Sequence, residues 1–334
     1  MIVATIFTKY GYGIEKLGHS LEYLSFFPAI AANATTIHPF WLEDNGLNIN
    51  NEKLQQNIIE FVNSVKPEFT FVMLITNEIN QNTLDKISSK TKLINWFCDD
   101  QWRFDSFSSK LLKYLSYAIT TDKYSLKKYH ALGFKNVFLS QWASFEAEEK
   151  INFDNIEYKY DISFVGGKNK SREWLIKKLK KIGIFVHCFG RGWDNDYISY
   201  EKMKIVFKTS KINLNLSNSV LTDVSFVFSS PKNFAFYLRG KKRNEQLKAR
   251  NFEIPAFGGF QLSNYVPELE DYFHIGKDIA IFGDISHLRD QIEFYLSNDE
   301  ARIRIAQNGY EIAKKNTIKN RVDDFFSFLQ GQIK

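Results

Sequence analysis

The sequence predicts an α/β protein made of two successive parallel-sheet domains, and three observations carry that prediction. Short apolar runs alternate with stretches of helical periodicity along the whole chain. A polar stretch without clean period, EAEEKINFDNIEYKY at 146–160, interrupts the alternation once. The same grammar then restarts at DISFVGG, 161–167. With 334 residues, 44% of them hydrophobic, the chain is long enough for two buried cores.

In the first half, strands are expected at IVATIF (2–7), ATTIHPF (34–40), FTFVML (69–74), KLINWFC (92–98), YAITT (117–121) and NVFLSQW (136–142). Helical spacing falls between them at 16–26, 51–65 and 125–132. Apolar strands separated by helices imply a mostly parallel sheet covered on both faces. The second half repeats the order: DISFVGG, a helix over 171–181, IFVHCFG (184–190), KINLNLS (211–217), a helix near Phe252, GGFQLS (258–263), IAIFG (279–283) and two terminal helices. The domains are therefore expected at 1–152 and 153–334, with room for the last helix to pack back on the first, and with a cleft between the two sheets.

Composition narrows the partners. The net charge of +6 is a small excess of 44 basic over 38 acidic residues with no basic arm, so nucleic acid is not implied. A mild positive excess suits anionic ligands such as nucleotide diphosphates, or peripheral attachment to an anionic membrane surface. Only Cys98 and Cys188 are present, outside any CxxC pattern, which supports neither a disulfide framework nor a zinc site and fits a reducing cytoplasm. The first residues read as a buried strand rather than a signal peptide, and no window approaches the roughly 20 apolar residues that span a bilayer.

In open parallel sheets ligands bind beyond the carboxyl ends of the strands. Gly166 and Gly167 end DISFVGG and precede a helix whose free N–H groups favour an anion; a tight turn capped by Ser171 explains the same residues. Gly190 and Gly192 flank Arg191 at the next strand end. KARNFEIPAFGGFQLSN is richer: Lys248, Arg250 and Glu253 precede Gly258 and Gly259. Cations neutralise a diphosphate, Arg with a rigid fork, and a carboxylate can accept hydrogen bonds from both ribose hydroxyls. Glu245 stands eight positions before Glu253, a spacing that an exposed helix laced with ion pairs would also produce.

Asp99 and Asp100 end KLINWFC and are expected to face the cleft, where an acid can orient or deprotonate an acceptor hydroxyl; strand-end capping and a metal-binding acidic pair are the rival readings. Trp102 and Arg103 follow and are placed along the same cleft. His19 and His38 read as structural. Asn213 and Asn215 share one strand face, Asn213 as a core amide and Asn215, with Arg172, on the donor side. Basic KKLKK (177–181) and GKKR (240–243) read as solvated faces, the second near the donor residues.

The stretch from KARNFEIPAFGGFQLSN through HIGKDIAIFGD to KKNTIKNR resembles the C-terminal domain of the CgeB-like, spore-maturation-type glycosyltransferases among the family-1-like GT-B enzymes. DISFVGGKNKSREWLIKKL, HCFGRGW and NWFCDDQWRFD extend the resemblance over about 93–321, with 248–277 its most specific part. The resemblance implies two Rossmann-like domains facing a cleft, with a nucleotide-sugar donor held by the C-terminal one and a glycan, lipid-linked or protein acceptor by the N-terminal one. Glu253 would then hold the donor ribose, Glu245 would lie near the donor sugar or its phosphate, and Lys248 and Arg250 would neutralise the diphosphate beside the backbone of Gly258 and Gly259. Neither metal nor other cofactor is implied, because the cations take over stabilisation of the leaving diphosphate. A nucleotide-sugar epimerase or hydrolase of the same fold, or a non-catalytic nucleotide-sugar-binding module, is the alternative.

Overall fold

A computed structural model describes residues 1–8, 29–42, 51–217, 224–240, 242 and 244–331. The helix expected over 16–26, with His19, and Lys241 and Arg243 of the basic GKKR lie outside the described residues. The chain divides into two compact units, Met1–Phe145 with Ile318–Lys334, and Glu146–Thr317.

The first unit is a six-stranded sheet in the order β2-β1-β3-β4-β5-β6, every pair parallel. Its strands are β1 Ile2–Thr8, β2 Thr36–Leu42, β3 Phe69–Val72, β4 Lys92–Phe97, β5 Tyr117–Thr120 and β6 Val137–Leu139. β3 is buried at every position and β4 at all but its first, as a sheet covered on both faces requires. One face packs on the helix Glu52–Val65, capped by Asn51, which buries Gln55, Ile58 and Val62 at helical spacing. Against the other face lies the helix Ile318–Leu329, whose Val322, Phe325 and Phe326 join Val3, Ile30, Phe71 and Trp96 in one core.

The second unit holds five parallel strands: β7 Tyr160–Val165, β8 His187–Phe189, β9 Ser210–Asn215, β10 Gln261–Asn264 and β11 Ala280–Phe282. Their order is β11-β10-β9-β7-β8. The chain therefore steps from β7 out to β8 and then back to β9 on the other side of β7. That reversal opens a crevice beyond the carboxyl ends of β7 and β9, the topological switch point of a doubly wound sheet. Ile162, Phe164, Ile212, Leu214 and Leu262 fill one core, while Val165, Phe189, Val206, Phe207, Ile254 and Phe257 fill another.

Where two terminal helices were expected the structure has three: Ile285–Ser297, Asp299–Ala313 and Ile318–Leu329. The break that raises the count is local, because the Asn298 side chain accepts a hydrogen bond from the Ala301 amide and restarts the helix. Helices at Gln81–Ser88, Tyr200–Lys208 and Pro231–Arg239 also exceed the sequence expectation. Each is short and opens on an Asn or Ser cap, a cue available in the sequence at Asn80, Ser199 and Ser230.

Candidate functional site

The second sheet builds its site from two helix N-termini and the strand ends between them. β7 runs into Gly166 and Gly167, and the helix Lys170–Lys181 then starts under an Asn169 cap, whose side-chain oxygen accepts from the Arg172 amide at 2.9 Å. Asn169, not Ser171, is thus the cap; Ser171 donates its own hydroxyl to that same oxygen at 2.9 Å. The adjoining turn is fixed by the Trp193 indole, which donates to the Gly166 carbonyl at 2.8 Å. Gly190, at φ 121°, lies so close that a side-chain carbon there would stand 2.7 Å from the Gly166 oxygen, so only glycine fits.

Arg172 is 6% exposed and spends three of its N–H donors on backbone carbonyls: Nε on Ser217 at 3.1 Å, Nη1 on Gly167 at 2.7 Å and Nη2 on Leu216 at 2.6 Å. Its guanidinium therefore ties the end of β7 to the end of β9 across the switch point. Burial pulls its pKa down to about 9, and the Arg250 charge adds to the fall while Glu245 opposes it. Arg172, Arg250 and Glu245 consequently share one electrostatic neighbourhood.

The second helix N-terminus belongs to Ala249–Ala256. Its cap residue is Lys248, whose amide donates to the Asn251 side chain at 3.0 Å. Arg250, in the first turn, lays its guanidinium over the bare backbone of Gly166, where a side-chain carbon would meet Nη1 at 3.2 Å. Its Nε is buried with no hydrogen-bond partner among the described residues, and burial lowers its pKa against the pull of Glu253. One turn on, Glu253 is 6% exposed, and burial raises its carboxyl to about 7 even with Arg250 favouring the charged form. A desolvated carboxyl and a guanidinium whose Nε has no partner among the described residues thus stand one turn apart near the positive end of a helix, a setting that suits a polar, anionic ligand.

Arg172 and Glu245 line a cavity of about 300 Å³, which Arg250 and Glu253 do not. Ser171, Arg172, Trp174 and Leu175 line it from one helix, Leu216 and Ser217 from the end of β9, Asn264, Tyr265 and 282–285 from the ends of β10 and β11, and Glu245 from the segment before the helix Ala249–Ala256. Its size is at the lower end of what ligand pockets span. Trp174, Tyr265 and Asp284 entered no sequence expectation. Position just beyond a predicted strand was the available signal for Tyr265 and Asp284, and Asp284 also caps its helix by accepting from His287 N at 2.8 Å. Nothing local marked Trp174.

Three expectations are corrected. Gly258 and Gly259 do not lie beside the first turn of their helix but beyond its last, at the amino end of β10. A helix of eight residues carries the chain roughly 12 Å from the carboxyl edge to the opposite one. There Gly258 packs on Ile151, and Gly259 on Asn213 and the Phe207 carbonyl; the close approach they permit is to the protein itself. Asn215 is engaged within the sheet, its amide donating to the Gln261 side chain at 3.1 Å. Asn213 is a core amide as expected, bonded to Phe207, Phe260 and Ser163.

In the first unit Asp100 is fully buried and accepts hydrogen bonds from the hydroxyls of Ser108, Thr120 and Tyr129, the last two at 2.7 Å. It cannot meet an acceptor substrate: the core consumes it. Burial also lifts its pKa, against those three bonds. Asp100→Ala would strand three buried hydroxyls, and a loss of roughly 2 to 5 kcal/mol is expected in urea unfolding, with activity per folded molecule retained. Asp99 keeps an accessible place, lining a small hollow with Ile75, Cys98 and Arg103, where Arg103 also donates to the Ile75 carbonyl.

Residues 170–327 match a family model described as glycosyl transferase-like, a span just under half of the chain. No curated protein matches by sequence. Solved structures match along the whole length. One is Anabaena Alr3699/HepE in complex with UDP and glucose, 10% identical, with 98% of this chain and 99% of that one covered at a TM-score of 0.58. Another is a glycosyltransferase from Rickettsia africae ESF-5, 9% identical, covering 99% of each chain at 0.59. A third is a putative UDP-N-acetylglucosamine 2-epimerase from Listeria monocytogenes, 9% identical, with 100% and 97% covered at 0.55. The chain has the two-sheet GT-B fold of glycosyltransferase structures, and the match to the glycosyl transferase-like family covers most of the second unit and runs on into the helix Ile318–Leu329 of the first.

Proposed function

We propose that the chain transfers a sugar from a nucleotide-diphosphate sugar to a glycan, lipid-linked or protein acceptor in surface polysaccharide or glycoconjugate synthesis. The observation that carries this reading is geometric: the Arg250 guanidinium lies over Gly166 at the switch point of the second sheet, Glu253 follows one turn on, and Arg172 and Glu245 line one cavity. Arg250 and the N-termini of its helix and of Lys170–Lys181 receive the diphosphate, and Glu253 as carboxylate accepts the ribose hydroxyls. Glu245 lines the cavity into which the sugar extends, and Lys248 adds charge at the helix start. In the transfer, the acceptor oxygen bonds the anomeric carbon, the bond from that carbon to the diphosphate oxygen breaks, and the acceptor proton passes to a base, for which Asp99 is the candidate.

The chemistry is metal-free in this reading. Arg172 and Arg250 supply positive charge where the leaving diphosphate gathers its negative charge. UDP is the first nucleotide to test, since the Anabaena neighbour binds it. On the resemblance of 248–277, the subtype is CgeB-like and hexosyl-transferring; on the two isolated cysteines and the mild positive charge, the chain works in the cytoplasm, with peripheral attachment to the inner face of the cytoplasmic membrane.

The Listeria neighbour makes nucleotide-sugar epimerisation the second reading. A thermal-shift and turnover panel of UDP-, GDP-, dTDP- and CMP-sugars, with and without EDTA, separates them. A shift with one donor that survives EDTA, and sugar release that rises only with acceptor, is the expected result. Donor turnover without acceptor would favour the epimerase or hydrolase; binding without any turnover, a non-catalytic module; a shift that needs a divalent cation would remove the metal-free step.

A further inference from the structure

The segment that precedes the donor helix has two unlike sides. Phe226 is buried and meets Trp174 edge-on at 5.6 Å and Phe236 at 6.3 Å, so the helical turns Val224–Val227 and Pro231–Arg239 are anchored on the helix Lys170–Lys181. Their other side is turned to solvent, although its residues are large and apolar. Val224 is 73% exposed, Phe228 72%, Phe234 40% and Leu238 56%. Phe228 and Phe234 stack on one another at 5.8 Å, which joins the two turns into one apolar ridge. No residue of Pro231–Arg239 is buried.

Charge tells what this ridge suits. Between Asp223 and Glu245 the sequence holds Lys232, Arg239, Lys241, Lys242 and Arg243 and not one acid. Lys232 and Arg239, both exposed, stand in the first and last turns of the helix, at either end of the stretch that carries Phe234 and Leu238. An apolar centre edged by cations is the pattern of a surface that lies on an anionic bilayer: rings and aliphatic chains enter the acyl boundary, and the cations meet the headgroup phosphates. A second protein copy would need acids opposite these cations. Among the described residues no helix is long and apolar enough to cross a membrane, so the attachment would be interfacial.

We propose that the ridge Val224, Phe228, Phe234 and Leu238, with Lys232 and Arg239, docks the chain on an anionic lipid surface. The inference deepens the peripheral placement given above and locates it beside the donor cavity, which Trp174 also lines. Vesicle binding requires neither donor nor acceptor, so it is read independently of sugar transfer.

The test is co-sedimentation of the full chain with phosphatidylglycerol–phosphatidylcholine vesicles and with pure phosphatidylcholine vesicles. Binding to the first alone, weakened by salt, is expected. Phe228→Ser with Phe234→Ser should abolish it, and Lys232→Gln with Arg239→Gln should weaken it roughly 25-fold, about fivefold for each neutralised cation. The charge pair decides the matter if the phenylalanine pair lowers the melting temperature. No binding to anionic vesicles, equal binding to neutral ones, or unaltered binding by folded variants would overturn the proposal. So would a dimer in analytical ultracentrifugation that the same variants dissolve.

Discussion

Arg250→Ala is expected to lower kcat for sugar transfer by about 10² to 10³-fold, the loss that follows removal of one preorganised donor from a site of developing negative charge. The argument starts from the backbone. Gly166 has no side chain, and the guanidinium fills the space over it, held at the first turn of Ala249–Ala256 with its Nε buried and without a hydrogen-bond partner among the described residues. Desolvation there already weakens the charged form, so the group gains most when an anion arrives. Two readouts give the prediction an edge. Calorimetry should show UDP binding weakened in the variant while binding of uridine is unchanged, because only the diphosphate meets the cation. Arg250→Lys should recover a minority of the activity, since an ammonium keeps the charge but not the planar fork. Equal UDP affinity in wild type and Arg250→Ala would remove Arg250 from the donor site.

Glu253→Gln should separate stability from function. The carboxyl sits near 7 in the folded protein against 4.5 ordinarily, and burial is the main cause. Between those values the folded state binds more protons than the unfolded one, so stability falls as pH rises from about 4.5 to about 7 and then levels off. At one pH unit per 1.36 kcal/mol, the penalty above pH 7 is on the order of 3 kcal/mol. Gln carries no such penalty. The variant should therefore match the wild type near pH 4 and exceed it at pH 8, measured by urea unfolding at both values. Donor affinity should move the other way, dropping at least about tenfold with the loss of charged hydrogen bonds to the ribose. In the wild type that affinity should rise with pH through about 7, as the carboxylate forms. A stability difference that does not change with pH would show that Glu253 is not desolvated as described. The opposite signs of the two effects are what a functional carboxylate in a dry site produces.

The candidate site was legible in the sequence to an uneven degree. Arg250 and Glu253 stand three residues apart and at the start of a helix, and local spacing was enough to pair them. The structure then gave them burial, which is what shifts their pKa values. Gly258 and Gly259 misled because nearness in sequence is not nearness in space: one helix separates the two edges of the sheet. Asp100 misled for a complementary reason. Its strand-end position resembled that of a cleft acid, yet its partners Ser108, Thr120 and Tyr129 lie 8, 20 and 29 residues away and reach it only when β4, β5 and the helix Leu126–Ala131 assemble.

By itself the sequence determined the class of the fold and the number of sheets, because apolar alternation and helix periodicity are local and repeat in every segment that forms. It also determined which helix starts carry cations and glycines. Tertiary structure alone decided the strand order β11-β10-β9-β7-β8, and with it the switch point at which Arg172 bridges Gly167, Leu216 and Ser217. It decided as well which acids the core consumes, Asp100 among them. Strand order, burial and hydrogen-bond partnership join residues far apart in the chain, and a pattern read along one segment holds no record of what the fold sets against it.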